Sequence, residues 1–180
     1  MKLVLIDRDG VINEEIPGFV TSPAELKIYP RAFDALALLK REGFACVMIT
    51  NQSVVGRGII TLEKLEEIHE SLRSQVERHG GRIDAVFACT DHPDQATERR
   101  KPAPGMLLEA MKQYRAKPEN TPFIGDATTD MEAASAAGCP RYLVLTGKGG
   151  EASRALPARL RPVTVCADIL EAANKIVAGQ

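Results

Sequence analysis

The chain has 180 residues, 44% hydrophobic and 26% charged, with 23 Lys plus Arg set against 24 Asp plus Glu. That length and balance suit a single globular domain, residues 1–180, with a full core. A net charge of −1 gives no general attraction to nucleic acid or to anionic membrane, so neither is expected as a partner and any anion site must be local.

The first apolar run, 2–6, ends at Asp7. It is too short for a signal-peptide core and no cleavage site follows it. No stretch approaches the roughly 20 apolar residues of a membrane span. The four cysteines, Cys46, Cys89, Cys139 and Cys166, lie far apart and mostly in apolar surroundings. They read as free buried thiols rather than a disulfide framework, and a cytoplasmic monomer is expected.

Further apolar runs follow at 44–50, 83–89, 121–125, 141–145 and 162–166, several rich in Val and Ile as buried parallel strands are. Between them the spacing predicts helices. One covers 31–42. Leu62, Leu65, Ile68 (or His69), Leu72 and Val76 form the stripe of a second, with Thr61 as N-cap and Gly80-Gly81 beyond its end. Leu107, Ala110, Met111 and Tyr114 mark a third with Pro104 near its start, and others fall at 129–137 and 168–178. Strands alternating with helices predict an α/β fold, a three-layer doubly wound parallel sheet of Rossmann type. The stretch 147–162, rich in Gly, Arg and Pro, reads as a surface loop.

In open α/β sheets ligands bind beyond the carboxyl ends of the strands. Four polar signatures fall there: Asp7 and Asp9; Thr50-Asn51-Gln52-Ser53; Lys101; and Gly125-Asp126. Carboxylates repel a phosphate dianion unless a hard cation lies between, so Asp7 and Asp126 point to Mg²⁺ with oxygen ligands. A carboxylate can attack phosphorus to form an aspartyl phosphate, and Asp7 is the nucleophile on this reading. Asp9 is placed to protonate the leaving alkoxide and then to activate water. Thr50, Asn51 and Lys101 would hold the phosphoryl oxygens.

Each piece has a plainer reading. Asp-x-Asp-Gly alone is often a turn, and here no further ligands or closing Glu complete a calcium loop. Asp130 reads as a cap for the helix at 129–137 rather than a metal ligand. Gly147-Lys148-Gly149-Gly150 lacks the rest of a P-loop and reads as a flexible turn. His69 and His79 read as structural. The order of all four signatures favours catalysis.

That order, Asp7-x-Asp9-Gly10, Thr50, Lys101, Gly125-Asp126, resembles the haloacid dehalogenase superfamily. The resemblance implies a phosphatase core in which the main-chain carbonyl of Asp9 joins Asp7 and Asp126 as a metal ligand. More locally, Asp7-Arg8-Asp9-Gly10-Val11-Ile12-Asn13, Thr50-Asn51-Gln52-Ser53 with Gly56-Arg57-Gly58, Arg100-Lys101-Pro102 and Leu145-Thr146-Gly147-Lys148-Gly149 resemble the D-glycero-D-manno-heptose-1,7-bisphosphate phosphatases, relatives of the histidinol phosphatases. This implies cytoplasmic removal of a C7 phosphate on the route to ADP-heptose, with Asn51, Gln52, Ser53, Arg57 and Arg100 on the substrate side. That family usually carries a Cys-x-His and Cys-x-Cys zinc loop. Here Cys89-Thr90-Asp91-His92 keeps one Cys, and Thr97-Glu98-Arg99-Arg100 lacks the later pair, so no zinc is expected.

The spacing from Asp9 to Thr50 and from Thr50 to Lys101 leaves no room for a separate cap domain. The site should be open, shaped by loops at 13–29, 51–60 and 89–101, with Arg57, Arg99 and Arg100 as candidates to meet a second phosphate on a small phosphorylated substrate. A nucleic-acid 3′-phosphatase fits poorly with the near-neutral charge and the 4% aromatic content. A phospho-acceptor signalling module would leave Asp9 without a role.

Overall fold

The computed structural model describes residues 2–179. Six parallel strands form one sheet: β1 (Lys2–Ile6), β2 (Phe44–Asn51), β3 (Ala85–Cys89), β4 (Phe123–Gly125), β5 (Arg141–Val144) and β6 (Thr164–Cys166), in the spatial order β3-β2-β1-β4-β5-β6. The order reverses direction between β1 and β4. A doubly wound sheet opens a crevice at the carboxyl ends of such a pair.

The strands are apolar on both faces because both are covered. Val4 and Ile6 point to one side, with Phe44, Cys46 and Met48. There they meet α1 (Pro30–Arg41), α3 (Leu62–Arg78) and α7 (Ile169–Ala178). Leu3 and Leu5 point to the other side, with Val47, Ile49 and Phe123, onto α4 (Gly105–Tyr114) and α5 (Thr128–Ala137). This alternation along each strand gives three layers. No helix among the described residues is long and apolar enough to cross a membrane. All four cysteines are free and buried.

The predicted helices form with ends shifted by a residue or two, apart from the second. Thr61 caps α3 as expected, its side chain accepting from Lys64 N at 3.2 Å. Asp168 caps α7 by accepting from the backbone N–H of Leu170 and of Glu171, each at 3.0 Å.

Two expectations fail. The segment 147–162 is not an open surface loop: it contains α6 (Gly149–Arg154) and a 3₁₀ turn, Ala158–Leu160. Ala152 and Leu160 bury against Met131 and Leu143. The apolar positions that drive this are few and separated by Arg, Pro and Gly, which hides their periodicity. A short helix, α2 (Ser53–Gly56), also follows β2 directly.

Candidate active site

Asp7 is the first residue past β1, and its N–H donates to Ile124 O in β4 at 2.9 Å. The strand pairing that builds the crevice therefore also sets Asp7 beside Asp126, one residue past β4. Asp7 Oδ1 accepts from Arg8 N at 2.7 Å and lies 2.9 Å from Lys101 Nζ. That ammonium is 2.6 Å from Asp130 Oδ1 and donates to Ile49 O at 3.2 Å.

Asp7, Asp126 and Asp130 thus gather three buried carboxylates around one buried ammonium, with oxygens within 4.8 Å of one another. Burial, then repulsion from Asp130 and Asp126, raises the Asp7 carboxyl well above its ordinary value despite Lys101. Burial and Asp130 likewise push Asp126 up to about 7. For Lys101, burial lowers the ammonium, but Asp130 and Asp7 outweigh it and keep the lysine charged. The excess of negative charge and the oxygen-only donor set fit a hard divalent cation such as Mg²⁺.

Backbone without side chains makes room for this cluster. Gly10 has φ +79°, and a Cβ there would stand 2.0 Å from Asp126 Oδ2. Gly147 has φ +55°, and its Cβ would lie 2.2 Å from the same oxygen. Lys148 N donates to Asp126 Oδ2 at 2.8 Å, and Thr146 Oγ1 donates to Gly10 O at 2.6 Å. The 147–150 segment, read from sequence as a flexible turn, is instead a wall of the site.

Three side chains hold Asp9 on the sides away from the cleft. The Arg8 guanidinium reaches it through Nε and Nη2, at 3.2 and 3.0 Å from Oδ1. Asn13 Nδ2 donates to Oδ1 at 2.9 Å and Gln52 Nε2 to Oδ2 at 2.8 Å. Burial alone would raise the Asp9 carboxyl, but Arg8, Asn13 and Gln52 together lower it.

A cleft of about 320 Å³ opens over these groups. Asp7, Asp9, Thr50, Asn51, Gln52, Ser53, Arg100, Lys101 and Asp126 all line it. Arg57 does not: it is exposed, donates through Nε to Ser53 Oγ at 3.3 Å and sits over the Phe19 ring. Arg99 pairs with Glu109 and with Ala88 O, away from the cleft.

Two expected phosphate or substrate contacts have other work. Asn51 Nδ2 donates to Lys101 O at 3.0 Å while its Oδ1 accepts from Lys101 N at 3.1 Å, which fixes the lysine's backbone. Gln52 Nε2 gives its hydrogens to Asp9 and to Thr50 Oγ1, the latter at 2.8 Å. Asp130 does the capping work expected of it, accepting from Asp126 N and Ala127 N at 3.1 Å. Its ion pair with Lys101 was not legible, since a cap needs only one of the two oxygens. Lys148, named in sequence only as part of a turn and a family motif, pairs with Glu15 at 2.5 Å on the cleft wall.

The D-glycero-beta-D-manno-heptose-1,7-bisphosphate 7-phosphatase of Bordetella bronchiseptica is 36% identical over 179 residues, 98% of each chain. The crystal structure of the D,D-heptose 1,7-bisphosphate phosphatase from B. bronchiseptica, complexed with magnesium and phosphate, superposes with a TM-score of 0.95 at 35% identity, covering all of both chains. This chain belongs to the haloacid dehalogenase superfamily of phosphatases. The HAD-hydrolase-like family model matches residues 98–172, which hold Lys101 and Asp126. A second phosphatase of this superfamily, the D,D-heptose 1,7-bisphosphate phosphatase from Burkholderia thailandensis, shares 32% identity with a TM-score of 0.76 over 99% of both chains. As in a haloacid dehalogenase core without a separate cap domain, no further domain interrupts the described residues between β1 and β3.

Proposed function

We propose that this chain acts as one phosphatase unit that removes the C7 phosphate of D-glycero-D-manno-heptose 1,7-bisphosphate in the cytoplasm, on the route to ADP-heptose. The observation that carries this reading is Asp7, buried at the sheet's switch point with Lys101 Nζ at 2.9 Å, in a chain similar end to end to phosphatases of that name.

Asp7 attacks phosphorus, and the bond from phosphorus to the sugar oxygen breaks as Asp9, which enters this step in its acid form, delivers its proton to that oxygen. Water then attacks the aspartyl phosphate, Asp9 takes its proton, and Asp7 and inorganic phosphate are released. Lys101 and the Thr50 hydroxyl hold the phosphoryl oxygens through both steps. The carboxylates of Asp7 and Asp126 and the main-chain carbonyl of Asp9 would hold Mg²⁺, which when bound supplies the positive charge that lets a dianion approach these acids.

Arg100 and Lys148 add positive charge to the cleft wall, which suits a substrate with a second anionic group. No structural zinc enters this reading. In the 89–101 loop Asp91, which stands where the zinc-binding relatives have His, accepts from Thr97 through both N–H and hydroxyl, and His92 Nδ1 accepts from Asp94 N.

Steady-state rates with Mg²⁺ on heptose 1,7-bisphosphate (both anomers) and histidinol phosphate test the assignment. Heptose bisphosphate should give the higher kcat/KM; a tenfold advantage for histidinol phosphate would reverse the ranking. Asp7→Asn should abolish turnover on every substrate, by at least about a thousandfold, and retained activity would rule out the covalent mechanism.

A further inference from the structure

We propose that His69, acting through Arg8, is a positioning residue that fixes the Asp9 carboxylate for proton transfer. The inference rests on Asp9 being the acid and base described above.

Arg8 is 1% exposed, a rare setting for a guanidinium. One edge of its fork, Nε and Nη2, grips Asp9. The opposite nitrogen, Nη1, lies 3.3 Å from His69 Nε2 on α3. Every guanidinium N–H is a donor, so His69 Nε2 must be the acceptor and the ring proton must sit on Nδ1. Burial, then the adjacent Arg8 charge, hold His69 down to about 3, so the ring is neutral and keeps that lone pair.

The tautomer has a cost. His69 is 2% exposed and its Nδ1 is buried with no hydrogen-bond partner, a loss that an apolar residue of similar size would avoid. Its neighbours on the same helix face, Leu65, Ile68 and Leu72, are fully buried and apolar. A fourth apolar side chain would fill the same space but would leave Arg8 Nη1 without its acceptor. What the imidazole adds is one acceptor, directed at the far end of the fork that holds Asp9. It sets the plane of the guanidinium, and with it the direction of the carboxylate that Asn13 and Gln52 hold from the other sides.

The test compares wild type, His69→Phe, His69→Gln and Asp9→Asn with Mg²⁺ on two substrates. The sugar of heptose bisphosphate leaves as an alkoxide and needs a proton. The p-nitrophenolate of p-nitrophenyl phosphate leaves without one, so its first-turnover burst reports attack by Asp7 alone. Dividing each rate by the burst amplitude counts only folded sites. His69→Phe should lower kcat on heptose bisphosphate about 10- to 100-fold with KM little changed, and leave the burst rate within about threefold. His69→Gln, whose Oε1 can accept from Arg8, should recover most of kcat. Equal slowing of both substrates in His69→Phe, or no recovery in His69→Gln, would overturn the inference. Asp9→Asn inactive with His69→Phe unchanged would overturn it alone, whereas a fully active Asp9→Asn would overturn the acid/base reading beneath it.

Discussion

Asp130→Asn tests how the buried charges are balanced. Asp130 is 0% exposed; one oxygen accepts from two backbone N–H groups and the other faces Lys101 Nζ at 2.6 Å. Asparagine fits the same volume, and its single carbonyl oxygen still caps α5. Its NH₂ then points at the ammonium, donor against donor. Removing one partner of a buried ion pair costs about 3–5 kcal/mol. Lys101 keeps Asp7 and Ile49 O, and Asp7 and Asp126 are relieved of a repelling neighbour, so the net loss should sit near the low end, at about 3 kcal/mol. For a chain of this length that is roughly 6–12 °C in Tm. Calorimetry without metal reads it directly, and kcat should fall too as Lys101 loses its second anchor. An unchanged or raised Tm would refute the reasoning, because the pair would then cost as much to desolvate as it returns.

Metal should act as a stabilising ligand as well as a cofactor. At a hundred times its Kd, Mg²⁺ should add about 2.7 kcal/mol to stability, visible as a rise in Tm that EDTA reverses along with turnover. Gly147→Ala should weaken that response and raise the Mg²⁺ needed for half-maximal rate at least tenfold, since the new methyl meets Asp126 Oδ2 and the backbone has φ +55°. His69 predicts a pH effect. Its folded pKa, about 3, lies below the unfolded value of 6.5. Its contribution is therefore complete above pH 6.5 and is lost as the pH falls toward 3. Between pH 6.5 and 5 wild type should lose about 2 kcal/mol from this group, and chemical denaturation of His69→Gln over the same range should lack that component.

The residues legible in the sequence are those whose type and position follow from one requirement. Asp7 must end a buried strand, so an apolar run that stops at a carboxylate exposes it. Asp126 and Thr50 follow the same rule. What sequence hides is the supporting contact made across the fold. Arg8 looks like a charge in a turn, yet it is buried because Asp9 and His69 take up its donors. Asn51 and Gln52 carry amides that suit a phosphate equally well, and only their partners in space assign them to Lys101 and Asp9. The α6 segment was missed for a different reason: Ala152 and Leu160 bury against Met131 and Leu143, contacts distant in sequence and interrupted by residues that usually break helices.

The pairing of β1 with β4 has a consequence for how activity is acquired. Leu5 and Ile6 lie opposite Phe123 and Ile124, so β1 is completed by a strand far from it in sequence. The half of the sheet formed by β1, β2 and β3 carries Asp7, Asp9 and Thr50. On the proposed mechanism that half is incomplete, because it lacks Asp126 and the Asp130 that pairs with Lys101. On that mechanism the site is complete only with β4 paired to β1, and a chain split between β3 and β4 should yield two inert pieces whose reunion restores turnover.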